Sequence, residues 1–254
     1  MTSSIPSATP RFGTMLAELA SPNVGRLIAR AGFGFAIVDC EHGPFNRETV
    51  AAIIAGSAGC LDVIVRVPGV DRAAITSFLD MGADGILVPM VSTPQDAELV
   101  VAYSKYAPLG HRGVSTVRAH TGYGVADLAG YQRQANEHVS TWVQIETLTA
   151  VRDVRSIAAV PGIDAVIVGP SDLGADAVQA GLDRSATLLD AIPAVAATAA
   201  EAGIHSGIIT TDATLLSAGA EAGMTIFGIG SELNFVLSGG KSFLATAKNA
   251  CHVD

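Results

Sequence analysis

Short apolar runs return along the chain at intervals that leave room for a helix between them. "FAIVD" (35–39), "DVIVR" (62–66), "GILVP" (85–89), "TWVQIE" (141–146), "AVIVGP" (165–170), "HSGIIT" (205–210) and "TIFGIG" (225–230) are nearly continuous in apolar residues. That is the pattern of strands covered on both faces. "RFGTML" (11–16) reads as a weaker first strand. Between the runs lie Ala-rich segments of helical period, among them 71–81, 94–103, 147–160 and 185–202. Gly32, Gly82, Gly162, Gly203 and Gly223 each stand just before an apolar run, where a helix commonly ends in a left-handed residue. Alternating strand and helix predicts parallel strands with helical crossovers. About eight such units in 254 residues predict an α/β fold of the (β/α)8 TIM-barrel kind. A doubly wound open sheet is the alternative, but no G-x-G-x-x-G follows an early strand. Residues 1–10 read as a flexible tail and 11–254 as one barrel domain. The longest irregular stretch, "APLGHRGVSTVRAHTGYG" (107–124), is expected to be an active-site loop.

In such a barrel the chemistry sits where the strands end. The second strand ends in Asp39, with Glu41 and His42 just beyond. The third ends in Arg66, the fifth in Gln144 and Glu146, and the sixth runs into Ser171 and Asp172 of "GPSDL". Two carboxylates from adjacent strands, Glu146 and Asp172, suit a hard divalent cation such as Mg²⁺ or Mn²⁺. Its open positions would chelate a 2-oxo acid, and the ion would act as a Lewis acid. Arg66 would stabilise a developing oxyanion, and His42 is a base suited to neutral pH. The free N–H groups at Ser171 and Asp172, where a helix opens, would hold a substrate carboxylate. Each residue also has an ordinary reading. Asp172 would serve as a helix N-cap, Glu146 as a first-turn acid, and Asp39 as a partner for Arg66. Convergence on one rim favours chemistry. Cys40 lies beside two acids, which would raise its pKa and blunt it as a nucleophile. His111, Arg112, Arg118, His120 and Tyr123 read as ordinary loop residues rather than catalysts, with contact to a second substrate as the alternative.

Composition narrows the classes. Hydrophobic residues make up 49% and charged residues 15%, with a net charge of -9. An acidic chain is a poor partner for nucleic acid, whose phosphates need a basic face. No apolar run approaches the ~20 residues of a membrane span. The start of the chain lacks the basic-then-apolar order of a signal peptide. Three cysteines without metal-type spacing fit reduced thiols in a cytoplasm. Low charge with abundant Ala, Val and Gly suggests surface covered by other subunits. The three lysines (Lys105, Lys241 and Lys248) end no expected strand, so a Schiff-base aldolase is disfavoured against metal-dependent enolate chemistry.

"VDCEHGPF", "VRVPGVDRAAITSFLDMGADGILVPMV", "YAPLGHRGVS", "VQIET" and "GIDAVIVGPSDLGAD" occur in the order found in the HpcH/HpaI family, and the chain resembles that family over roughly residues 12–235. These are class II, metal-dependent pyruvate aldolases, 4-hydroxy-2-oxoheptanedioate and 2-dehydro-3-deoxyglucarate aldolases among them. The resemblance implies reversible cleavage of a 4-hydroxy-2-oxo acid to pyruvate, or a related 2-oxo acid, and an aldehyde. It implies a divalent metal (Mg²⁺, Mn²⁺ or Co²⁺) on Glu146 and Asp172, His42 as base and Arg66 as stabiliser of the enolate. It also implies Asp39 and Glu41 as acids of a D-x-E-H motif, and Asp80 as an acid raising the basicity of His42. Gln144 and the Gly169-Pro170-Ser171-Asp172 turn would contact the 2-oxo acid, together with Arg66. A homo-oligomer, a hexamer or trimer of dimers with the last helix exchanged between neighbours, is implied too. Other reactions on the same scaffold remain open: oxaloacetate decarboxylation, citrate lyase-type cleavage, macrophomate synthase-like addition, or silent binding of a 2-oxo acid. The chain departs from the family at "AVQAG" after "SDLGAD", at Glu232 near "GSE", and in the 114–124 loop. By the resemblance, these positions line the outer pocket or the subunit contacts and leave the pyruvate half intact.

Overall fold

A computed structural model describes residues 9–253, so most of the expected tail lies outside the described residues. Eight parallel strands close into a barrel in chain order: β1 (Arg11–Leu16), β2 (Phe35–Asp39), β3 (Asp62–Arg66), β4 (Gly85–Val88), β5 (Ser140–Ile145), β6 (Ala165–Val168), β7 (His205–Ile209) and β8 (Ile226–Ser231). The expected barrel is therefore observed, and every expected strand is present within two residues of its expected ends. The five glycines placed before strands all have positive φ, from 75° at Gly203 to 103° at Gly162.

Strand pleating sorts side chains into two layers. Phe35, Ile37, Ile64, Leu87, Trp142, Ala165, Ile167 and Ile226 pack together inside the barrel. Their neighbours one residue away, such as Ala36, Val38, Val65, Ile86, Val143 and Val166, face the outer shell. Phe35 meets Trp142 edge-on, with ring centroids 5.4 Å apart. The Phe35 ring packs against Gly13 of β1, where a Cβ would fall 2.3 Å from ring atoms. Any larger residue there would displace the ring from the barrel centre.

The shell comprises α1 (Val24–Arg30), α2 (Arg47–Ser57), α3 (Arg72–Asp80), α4 (Pro94–Ser104), α5 (Leu128–His138), α6 (Leu148–Ala158), α7 (Pro170–Gln179), α8 (Arg184–Ala202), α9 (Ala213–Glu221) and α10 (Glu232–Cys251). Helix starts carry side-chain caps: Asn46, Asp71, Thr93, Asp127, Thr147, Asp183 and Asp212 each accept a first-turn N–H. The β1–β8 seam is closed by Thr14, whose hydroxyl contacts the carbonyls of Ile229 and Gly230 at 3.1 Å. Glu232, a residue in which the chain departs from its resemblance, is buried there. Its carboxylate accepts the N–H groups of Ala17, Glu18 and Leu19 at 2.6–2.9 Å.

Topology corrects one expectation. The 107–124 stretch follows a helix, α4, and leads through α5 into the start of β5. A segment of that kind lies at the N-terminal end of the strands, opposite the rim that holds the chemistry. Within one chain it is no active-site loop.

Candidate active site

The inward face set by the barrel core continues up each strand in steps of two. In β2 it runs Phe35, Ile37, Asp39; in β3, Ile64 and Arg66; in β5, Trp142, Gln144 and then Glu146; after β6, Ala165 and Ile167 lead to Gly169. The polar residues at the rim are thus the next inward positions after the apolar plug.

Asp39 and Arg66 are register partners on β2 and β3. Arg66 donates Nε to Asp39 Oδ1 at 3.0 Å and Nη2 to Oδ2 at 2.8 Å, a two-pronged pair that is almost fully buried. Its remaining nitrogen, Nη1, lies 3.3 Å from Glu41 Oε2. Asp39 Oδ1 also accepts the N–H groups of Glu41 (3.1 Å) and His42 (3.2 Å), which bends the chain past the strand end. Burial works against the charge on Asp39, but Arg66 and the two backbone donors outweigh it and leave its carboxyl below the usual range. Burial raises the pKa of Glu41. His42 is open to solvent, with 68% of its side chain exposed and Nε2 3.8 Å from Glu41 Oε2.

Glu146 is only 3% exposed. Its Oε1 accepts Gln144 Nε2 at 2.6 Å and its Oε2 accepts the N–H of Met90 at 3.0 Å. Met90 reaches it from just beyond β4 in a left-handed conformation, φ 57°, which is costly for a residue with a side chain. No sequence signal marks that donor. Burial pushes Glu146 up to about 7, and the negative charges of Asp172 and Glu41 add to the rise. Gly169 leaves room for the carboxylate: a Cβ there would sit 2.4 Å from Glu146 Oε1 and 2.8 Å from Gln144 Nε2. Gln144 Oε1 is buried without a partner, the kind of group a ligand satisfies.

Two ordinary readings fall here. Gly169, rather than Asp172, is the N-cap of α7; Pro170 opens the helix and Asp172 sits in its first turn with Ser171. Glu146 precedes the α6 cap, Thr147, and turns inward, so it is not a first-turn acid. The third reading is met, since Asp39 does pair with Arg66.

The donor set fits a hard divalent cation. Carboxylate oxygens are the ligands Mg²⁺ and Mn²⁺ prefer, and a buried carboxylate pushed up by two further acids is one that a cation would relieve. Among the described residues no three Asp, Glu, His or Cys side chains form a metal-holding group by themselves. Two carboxylates, with water and substrate completing the shell, is the arrangement these residues allow.

Asp80 is corrected. It closes α3 at the opposite end of the barrel, where Arg112 Nη2 donates to its Oδ1 at 2.8 Å and His120 Nε2 lies 3.6 Å away. Within the chain it does not meet His42. Arg112 and His120, read from sequence as loop residues, have buried side chains. With Tyr131 and His138 they line a cavity of about 330 Å³ that contains none of the rim acids. Lys105 lies at this end as well; its buried ammonium donates to Asp164 Oδ2 (2.9 Å) and to the carbonyls of Asn136 and Val139. Lys241 and Lys248 lie on α10. Burial, and then Asp39, push the Cys40 thiol up to about 12.

A closed (β/α)8 barrel whose C-terminal rim carries a buried carboxylate, a second acid on the helix beside it, a locked arginine and an open histidine has the architecture of a barrel enzyme. The chain belongs to the HpcH/HpaI aldolase/citrate lyase family, whose description matches residues 14–238. A hydroxypyruvate/pyruvate aldolase of Sagittula stellata is 37% identical over 205 residues, 80% of each chain. A 4-hydroxy-2-oxovalerate aldolase of Novosphingobium aromaticivorans is 37% identical over 195 residues, 74% of this chain and 73% of that protein. The solved structure of an HpcH/HpaI aldolase from Desulfitobacterium hafniense superposes with a TM-score of 0.86 at 30% identity, over 94% of this chain and 93% of that one. Relatives of this kind are carbon–carbon lyases, and the chain is an enzyme of that class.

Proposed function

We propose that the protein is a divalent-metal-dependent aldolase that cleaves a 4-hydroxy-2-oxo acid reversibly to pyruvate, or a related 2-oxo acid, and an aldehyde. The observation that carries this reading is the buried Glu146, flanked by Asp172 and facing a rim whose arginine is already locked. Glu146 and Asp172 would hold the ion (Mg²⁺, Mn²⁺ or Co²⁺), which when bound supplies Lewis acidity toward the carboxylate and keto oxygens of the 2-oxo acid. Ser171 and Asp172 offer backbone N–H groups in the first turn of α7 to the substrate carboxylate, and the unpartnered Oε1 of Gln144 is an acceptor for a hydroxyl or water bound in the site. Arg66 keeps its guanidinium in place through Asp39, so it costs no reorganisation when negative charge develops on the keto oxygen. His42, exposed at the mouth of the site, takes up and returns the proton on the aldehyde side, with Glu41 beside it.

A homo-oligomer is part of the same reading. Helix α10 presents Val236, Leu237, Phe243 and Leu244 to solvent, with Phe243 81% exposed. An apolar face of that size on a single chain is best accounted for by a second copy covering it. Contact of Asp80 with His42 would also take a second copy, since one chain keeps them at opposite ends. No helix among the described residues is long and apolar enough to cross a membrane, and a cytoplasmic location accords with that.

The test is exchange of the pyruvate methyl protons in D2O, followed by NMR with Mg²⁺, Mn²⁺ or Co²⁺ and with EDTA. Metal-dependent exchange is expected. Exchange that EDTA leaves intact would overturn the metal assignment, and no exchange under any condition would overturn pyruvate as the donor.

A further inference from the structure

We propose that Asp176 is a positioning residue that holds the Glu146 and Asp172 segments at the spacing a divalent cation requires. The proposal rests on the metal-dependent reading above. Asp172 and Asp176 stand one turn apart on α7 and therefore share a face. Two acids at that spacing repel mildly, so something must hold the second one there.

Asp176 Oδ2 accepts the N–H of Leu148 at 2.7 Å. Leu148 is the first residue of α6, and its N–H has no partner inside its own helix. The α6 cap does not use it: Thr147 Oγ1 takes the N–H of Ala150 at 2.9 Å. Leu148 follows Glu146 by two residues, and Asp176 follows Asp172 by four. The hydrogen bond therefore ties the segment bearing one carboxylate to the helix bearing the other, across 28 residues of chain.

The Glu146 side of this tie is itself anchored. Ser92 Oγ lies 2.9 Å from Thr147 Oγ1, and Met90, two residues before Ser92, gives its N–H to Glu146. Glu146 is thus fixed to the β4 loop, while Asp172 stands exposed on α7 and depends on the placement of that helix. Asp176 supplies that placement. Mg²⁺ in particular tolerates little error in ligand spacing.

Manganese binding, read by loss of the free-ion EPR signal without any substrate, tests this on the full-length chain. Wild type is expected to bind. Asp176→Ala should bind about 10–100-fold more weakly, the usual consequence of removing a group that orients a metal ligand. Asp176→Asn keeps an acceptor for Leu148 and should restore affinity to within about threefold of wild type. Asp127→Ala, which removes a comparable cap from α5 at the other end of the barrel, should lower the melting temperature and leave affinity unchanged. Equal binding by wild type and Asp176→Ala would overturn the proposal, as would an Asp176→Asn variant as weak as Asp176→Ala. If Asp176→Ala does not fold, Asp176→Glu carries the test. It keeps charge and acceptor but lengthens the arm, so weaker binding is expected and wild-type affinity would overturn the idea. Failure of wild type itself to bind would overturn the metal-dependent reading, and the proposal with it, which is a different result from a variant that binds as wild type does.

Discussion

At the N-terminal end of the barrel, acids finish hydrogen-bond ladders. Asp84 accepts the N–H of Val63, Asp164 accepts the N–H of Thr141 along with the Lys105 ammonium, and Asp62 pairs with Arg11. At the C-terminal end, acids are set against one another. Glu41, Glu146 and Asp172 raise or are raised by their neighbours, and Arg66 is the cation among them, already committed to Asp39. The difference separates charges that hold the strands together from charges held in readiness. Changes at the first end should cost stability and leave chemistry alone; changes at the second should cost chemistry first.

The largest effect is expected from Arg66→Ala. Loss of one donor to a developing oxyanion costs on the order of 10²–10³ in rate. The same change strands a buried Asp39, at about 3–5 kcal/mol of stability. Pyruvate exchange rates and urea unfolding measure the two losses separately. A variant that loses stability yet exchanges at the wild-type rate would move Arg66 into the company of Lys105 and break the comparison.

Lys105→Met is the counterpart at the other end. It removes a buried ammonium from the half-exposed Asp164 and from two part-buried carbonyls, at about 0.5–1.5 kcal/mol for each hydrogen bond lost. The melting temperature should fall by roughly 2–4 °C per kcal/mol for a chain of this size. Turnover per folded molecule should stay as it was. A fall in turnover without a fall in melting temperature would mean that the N-terminal end reaches the reaction.

How much of this contrast was legible in the sequence differs by end. Strands such as "FAIVD" and "DVIVR" were readable because both faces are buried, and the residue at each run's end is the next inward step of the same pleat. That is why Asp39, Arg66, Gln144 and Glu146 were found from spacing. The length of the loop after α4 suggests function, but the order α4, α5, β5 puts it at the N-terminal end of the strands, away from the rim of its own chain. Asp80 could not be paired from spacing, since Arg112 and His120 lie 32 and 40 residues away and sit in a Gly-containing stretch that looks solvated. The N–H of Met90 was invisible, because it depends on a left-handed backbone at a residue whose type gives no hint of one.

A shallower effect should appear in the pH dependence of stability. Burial lowers the pKa of His120, with Arg112 adding to the fall and Asp80 opposing it. The unfolded chain takes up that proton near the ordinary value of about 6.5, while the folded chain resists it. At this group the unfolded state binds more protons, so its contribution to stability should decline as pH falls below about 6.5 and level off once the folded ring is protonated too. Glu146, raised to about 7 in the folded chain, acts with the opposite sign over the same window, so the His120 contribution is read as the difference between the urea midpoints of wild type and His120→Asn from neutral to mildly acidic pH. That difference should change across the window; a constant difference would assign the pH dependence to other groups.

The smallest effect concerns Cys40, which stands one residue past Asp39 and so packs outward against the helical shell. Its neighbour at the rim is poised for chemistry, yet burial and the Asp39 charge hold the thiol near 12, far from the thiolate that nucleophilic attack requires. Cys60 is exposed. Iodoacetamide at mildly alkaline pH, followed by peptide mass mapping, should therefore mark Cys60 and spare Cys40 until the protein unfolds. Cys40→Ala should leave pyruvate exchange unchanged. Rapid native labelling of Cys40 together with loss of exchange would show that the reactive face of the rim extends past the inward positions. The contrast would then lie between the ends of the barrel alone, and no longer between the two faces of its strands.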